Sequence, residues 1–316
     1  MELLYCPVHF ISPHLSNLIS LVVTQENACR YCYGSVRALM KLMGYTEDYI
    51  IKLENDVDNH DGLSPGEKLA LDFSRRIARA NPYPAPSELK ALQQTGFSAL
   101  ATREIAFLAA NRTCFGSRIC TPLAVPPDSD LEEMAGKWFA KIMRPLIKWN
   151  MSRVTHRLVN SYQTHPEIYV ERPFAQFVQT VQEIPIAALI LRSAIDAAWD
   201  SPVISRRLKG MIFAIIGRAL NCEPMVAESV RLLEQEGLTR EHSSRALVDL
   251  TSERLDPFEN KAIEMARETV RYRPDQIQKK LKAFSAGVSE LIILELLGTA
   301  ALANMLSRMG ILLQTE

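Results

Sequence analysis

The apolar positions of this chain recur at helical spacing. Cys32, Val36, Leu39, Met40 and Met43 fall at i, i+4, i+7, i+8 and i+11, one stripe of an amphipathic helix. Gly44 follows as its stop, where the chain needs a left-handed residue and glycine has no Cβ to clash. Ser64-Pro65-Gly66-Glu67 reads as the next start: a capping serine, proline in the first turn, and a glutamate three residues on to close a capping box. Leu69, Phe73 and Ile77 continue that helix, and Asn81-Pro82-Tyr83-Pro84 breaks it. A short helix over 87–94 and a longer one over 100–117 follow. No stretch alternates with period two for long enough to argue for a sheet. The expected fold class is all-α.

The same string of signals occurs twice. Cys29 and Cys222 each precede a glycine by fifteen residues, Gly44-Tyr45-Thr46 in one case and Gly237-Leu238-Thr239 in the other, at an offset of 193. Ser64-Pro65-Gly66-Glu67 parallels Asp256-Pro257-Phe258-Glu259, and Leu89-Lys90-Ala91 parallels Leu281-Lys282-Ala283, both at 192. Gly96 and Glu104 parallel Gly287 and Glu295 at 191, and Ser117-Arg118 parallels Ser307-Arg308 at 190. An offset that falls one residue at a time is what small loop deletions leave between two copies of one unit. Proline appears in the first turn of the second cysteine helix, at Pro224. We expect a first unit over 1–126, a helical connector over 127–182 and a second unit over 183–316. Pro126-Pro127-Asp128 marks the start of the connector and Thr164-His165-Pro166 divides it. Trp138, Phe139, Trp149, Phe174 and Phe177 sit there at helical spacing and are expected in a core or a subunit interface.

Composition narrows the function classes. The chain has 316 residues, enough for about two domains, and it is 47% hydrophobic and 23% charged. Its 36 basic and 36 acidic side chains cancel, so no basic excess points to nucleic acid or to an anionic membrane surface. Arg30, Arg37 and Lys41 read as the solvated face of a helix. The first residues lack the basic region of a signal peptide. Arg192, Arg218 and Glu295 interrupt the three most apolar stretches before they reach the ~18 uncharged residues of a membrane span. Six scattered cysteines are too few for a disulfide-stapled secreted domain. The expectation is a soluble cytoplasmic protein with no membrane or nucleic-acid partner and mostly reduced thiols.

The chemical feature is Cys29-x-x-Cys32. At a helix start this spacing puts two sulfurs about one turn apart on one face. A thiolate at a helix N-terminus is stabilised by the dipole, which favours Cys29 as the more acidic thiol. One sulfur can attack a peroxide or a disulfide and the other can resolve the product. Three other readings stand beside this one: half of a zinc site completed by Cys114 and Cys120, whose five-residue gap is not a usual zinc spacing; plain buried packing; or the remnant of a lost activity. Cys6, Cys114, Cys120 and Cys222 receive no functional role, with buried packing expected for Cys114 and Cys120. The segment from Asp56 resembles a calcium loop, but His60 and Asp61 occupy its fifth and sixth positions and Glu67 is already assigned to the capping box. Nucleotide loops, H-E-x-x-H and G-x-S-x-G are absent, and the six histidines show no metal-ligand spacing.

Asn27-Ala28-Cys29-Arg30-Tyr31-Cys32-Tyr33-Gly34, with Leu42-Met43-Gly44, Leu63 to Lys68 and Ser117-Arg118, resembles the AhpD-like, or carboxymuconolactone decarboxylase, family in its peroxidase-related branch. The resemblance covers about 11–126 and, more weakly, 183–316. It implies compact all-α units in tandem that assemble as a homo-oligomer, without a cofactor or a bound metal. It also implies an alkylhydroperoxidase-like thiol oxidoreductase with a peroxide or disulfide substrate and a dithiol reductant. In the family pattern a Glu, eleven intervening residues, the C-x-x-C, three intervening residues and a His follow in order, and the Glu and His relay protons. The second cysteine attacks, which would be Cys32, and the first, Cys29, resolves. Here Asn17 and Val36 stand at the Glu and His positions, and neither can act as a base. In the second copy Gly210, Met225 and Ser229 replace the Glu, the second cysteine and the His. His14, one turn before Asn17, is the candidate substitute base. A non-catalytic helical scaffold or thiol redox sensor of the same family is the alternative.

Overall fold

The computed structural model describes residues 8–81, 83–138, 172–251, 253–270 and 273–313, with a few positions between 142 and 153. Fifteen helices and no strand are present among the described residues. The first six are α1 (Pro13–Glu26), α2 (Arg30–Met43), α3 (Glu47–Asn55), α4 (Pro65–Arg79), α5 (Ser87–Gln94) and α6 (Ala99–Cys120). Three follow in the middle of the chain: α7 (Ser129–Gly136), α8 (Ala175–Gln179) and α9 (Pro185–Asp200). The last six are α10 (Arg206–Ala219), α11 (Glu223–Gln235), α12 (Arg240–Asp249), α13 (Pro257–Glu268), α14 (Pro274–Phe284) and α15 (Glu290–Leu313).

Local chemistry sets these boundaries, and it recurs across the two sets. Ser12 accepts from the Leu15 amide at 3.1 Å and Ser205 from the Leu208 amide at 3.1 Å, which caps α1 and α10. Thr46 and Thr239 cap α3 and α12. Ser64 with Glu67 and Asp256 with Glu259 form two complete capping boxes. Gly44 and Gly237 leave the two cysteine helices at φ 108° and 85°, a backbone region that penalises any Cβ.

Packing follows the same scheme. α1 lies against α2, α4 and α6, and α10 against α11, α13 and α15. α6 and α15 then pack on each other, so the two halves share one continuous apolar core. By length and composition Glu290–Leu312 passes for a membrane span, but 67% of it is buried inside the fold. Two of its charged groups need partners. Glu295 pairs at 3.0 Å with Lys209, which is 0% exposed. Arg308, also fully buried, donates to the Ile77 carbonyl at 3.1 Å and to Asn304 Oδ1 at 2.6 Å, and the Tyr83 hydroxyl donates to the Arg308 carbonyl. A buried guanidinium without acceptors would be strongly unfavourable, so these bonds fix how the halves meet.

The middle segment divides the aromatic expectation. Phe174 and Phe177 are fully buried, and the ring centroid of Phe174 lies 4.3 Å from that of Phe213, the planes tilted by 33°. Trp138 and Trp149 are instead 73% and 56% exposed, so no core covers them in the single chain. Phe139 and Thr164-His165-Pro166 lie outside the described residues.

Candidate dithiol site

The cysteine pair is placed by a tight reversal between α1 and α2. Asn27 closes α1: its amide and its side-chain nitrogen both donate to the Val23 carbonyl, at 3.0 and 2.8 Å. Ala28 then takes a left-handed conformation, φ 46°, and the Cys29 amide returns to the Thr24 carbonyl at 3.3 Å. Cys29 thereby becomes the N-cap of α2. Its Sγ accepts from the Cys32 amide at 3.3 Å, the bond that a capping serine oxygen makes in other helices. Arg118 of α6, fully buried, donates to Asn27 Oδ1 at 3.2 Å and brings a positive charge to the turn.

Cys29 and Cys32 are joined as a disulfide, with Cα atoms 5.3 Å apart. That separation lies within the range a disulfide requires. The residues are 1% and 9% exposed. The Cys32 sulfur rests on Gly116 of α6: a Cβ there would come within 2.8 Å of Sγ. On the other side α7 closes over α2, with the Glu132 carboxylate against Gly34, where any Cβ would collide.

Cys29 lines a cleft of about 700 Å³. Its walls are Ala28, Arg30 and Tyr31 at the head of α2, Cys120, Thr121 and 124–127 at and after the end of α6, and Pro274, Asp275 and Gln278 from α14. Gln278 ties the two sides by donating to the Thr121 carbonyl at 2.9 Å. The cleft therefore exists only because the two halves dock. Three of its polar groups, Tyr31, Cys120 and Asp275, carry chemistry that the sequence reading did not assign. Cys120 is partly exposed on the cleft wall, not packed in the core as expected. Burial raises its thiol pKa. Asp275 has no local signal, since it reaches the cleft from the far half of the chain. The side chain of Cys114 lies outside the described residues.

His14 is not brought to this site. It sits in the first turn of α1, while Cys29 follows the last, roughly 18 Å away along the helix at 1.5 Å per residue. Its Nδ1 bonds the Tyr45 hydroxyl at 2.7 Å, its ring stacks on Tyr45, and Asn17 also bonds Tyr45. Val36 packs against the core. The imidazole is thus held at the Gly44 end of the hairpin, remote from either sulfur. Among the described residues no group of three His, Cys, Asp or Glu side chains could hold a metal ion.

The matching place in the second half is closed. Cys222 caps α11 but is 1% exposed, and burial pushes its thiol up to about 11. Met225 stands where Cys32 does and packs on Gly217, and Ser229 Oγ donates to the Met225 carbonyl at 2.7 Å. Phe177 presses on Gly310 beside the Cys222 sulfur, and Gln176 donates to the Pro224 carbonyl at 3.3 Å. α8 thus plugs the second site where the first has its cleft. No protein-family model matches the chain, and comparison with curated proteins and with solved structures likewise returned no match.

Proposed function

We propose that this protein is a thiol oxidoreductase of the AhpD-like kind, two degenerate units in tandem, with a single working dithiol at Cys29 and Cys32. The observation that carries this reading is the asymmetry between the halves. Only the first has two sulfurs in bonding position at a helix N-terminus beside a cleft. The second has one buried thiol behind Phe177 and acts as scaffold, supplying Asp275 and Gln278 to the cleft wall.

In this reading Cys29 is the attacking sulfur. Its place at the N-cap, its bond from the Cys32 amide and the nearby Arg118 all favour its thiolate. The family order would give attack to Cys32, but that sulfur is turned onto Gly116. The Cys29 thiolate attacks the terminal oxygen of a peroxide, the O–O bond breaks, Cys29 becomes a sulfenic acid, and the alkoxide leaves and takes up a proton. Cys32 then condenses with the sulfenic acid, releasing water and leaving the disulfide. A dithiol reductant restores the pair. With Asn17 and Val36 in the relay positions, protons must come through the cleft, where Tyr31 and Asp275 stand. We expect a cytoplasmic homo-oligomer.

The low exposure of both cysteines favours a second reading, a non-catalytic helical scaffold with a structural disulfide. Equilibration in buffers of reduced and oxidised dithiothreitol separates the two. Reversible gain and loss of two hydrogens under native conditions supports the oxidoreductase; a disulfide that is reduced only after unfolding supports the scaffold.

A further inference from the structure

Neither sulfur of the pair is open to a large reductant, since Cys29 is 1% and Cys32 9% exposed. A third thiol, Cys120, lines the cleft that Cys29 lines. On α6, Gly116 and Cys120 are four residues apart and share one helix face. Gly116 lies under the Cys32 sulfur. Cys120 is therefore one turn further along the same face, toward Cys29, one turn before Cys32 on α2. Cys29 and Cys120 accordingly line the same cleft.

The second half supplies an independent measure of the spacing. Gly310 follows Ser307-Arg308 as Cys120 follows Ser117-Arg118, and Cys222 is the counterpart of Cys29. A Cβ on Gly310 would lie 3.0 Å from the Cys222 sulfur. A side chain at this register thus starts within reach of a sulfur at the Cys29 position.

From this juxtaposition we propose that Cys120 is an exchange thiol that carries reducing equivalents from the cleft to the buried pair. The inference rests on the dithiol reading above and adds a regeneration step to it. The Cys120 thiolate attacks the Cys29 sulfur of the Cys29–Cys32 disulfide. The bond between Cys29 and Cys32 breaks, a bond between Cys29 and Cys120 forms, and Cys32 leaves as a thiolate that takes up the proton Cys120 lost. No net oxidation occurs in this step. A small dithiol entering the cleft then attacks the Cys120 sulfur and releases the Cys29 thiolate. Its second thiol displaces Cys120, and the dithiol departs as a cyclic disulfide. Two electrons have passed from the dithiol to the protein, through a sulfur with more solvent access than either member of the pair.

The test is the disulfide connectivity of Cys32→Ser after treatment with diamide, mapped by peptide mass after alkylation. The expected product is a Cys29–Cys120 crosslink in most molecules, absent from Cys32→Ser/Cys120→Ser. Wild-type protein provides a check that needs no variant: limiting dithiothreitol followed by rapid alkylation should trap species alkylated at Cys32 but at neither Cys29 nor Cys120, with Cys29 bonded to Cys120. If Cys32→Ser leaves Cys29 and Cys120 unlinked and no such species is trapped, the exchange role is overturned. The dithiol reading survives that result as long as wild-type protein still forms Cys29–Cys32. If wild-type protein forms no Cys29–Cys32 disulfide under the same treatment, both fall together.

Discussion

The sulfur of Cys32 rests against the backbone of Gly116, so closely that a methyl group there would lie 2.8 Å from it. This contact fixes which sulfur faces the cleft. Gly116→Ala should destabilise the reduced protein by about 1–3 kcal/mol, the usual consequence of overpacking a filled core. The clash is with Cys32 itself, so Cys32→Ala should recover most of that loss in the double variant. Urea denaturation of the four proteins measures the coupling; additive effects would mean that the two residues do not touch.

Glu104 accepts from the amides of His9, Phe10 and Ile11 at 2.8, 2.7 and 2.9 Å, and so holds the chain that enters α1. Glu104→Ala leaves three donors without this partner, at a cost of about 2–4 kcal/mol. Hydrogen exchange should show the opening beginning at residues 9–11. A loss under about 0.5 kcal/mol, typical of an ordinary surface change, would mean that water replaces the carboxylate without penalty.

Burial pushes the Cys222 thiol up to about 11 from an ordinary value of 9.0. The folded state prefers the protonated form. Its contribution to stability is therefore complete below pH 9 and is lost as the pH rises toward 11, by roughly 2–3 kcal/mol at 1.36 kcal/mol per unit. Denaturation midpoints should fall more steeply over this window in the wild type than in Cys222→Ala. In Phe177→Ala the plug is gone, and thiol reagents should label Cys222 at least tenfold faster than in the native protein at pH 8. Equal slopes and equal labelling would contradict the closed second site.

His14 belongs to the Tyr45 cluster, not to the sulfurs. His14→Gln should leave the rate and the pH profile of Cys29 alkylation in the reduced protein unchanged within about twofold. A shifted profile would restore the histidine as a base.

The helices were legible because their signals are local. The capping boxes at Ser64 and Asp256, the Gly44 and Gly237 stops and the apolar stripe from Cys32 all act within a few residues. The C-x-x-C likewise announces itself. The cleft does not, because it needs α14 to dock at the end of α6, where Gln278 reaches Thr121 from 157 residues away, and nothing near Asp275 signals that. His14 misled for the same reason. Spacing along α1 placed it beside Asn17, which is correct, but the cysteines lie past the other end of that helix. Cys120 looked like packing because its face of α6 is defined only by what rests on Gly116. The tryptophans at 138 and 149 share the helical spacing of core residues, and periodicity does not reveal whether a partner surface is present.

The central claim is that Cys29 and Cys32 form a working redox pair. Its most direct test is the rate of disulfide formation when the reduced protein is titrated with hydrogen peroxide and with an organic hydroperoxide, followed by intact mass and compared with Cys29→Ser. The wild type should show fast, saturable loss of two hydrogens, and Cys29→Ser none. Oxidation of the wild type no faster than that of a free thiol would contradict it and leave a helical scaffold with a vestigial pair.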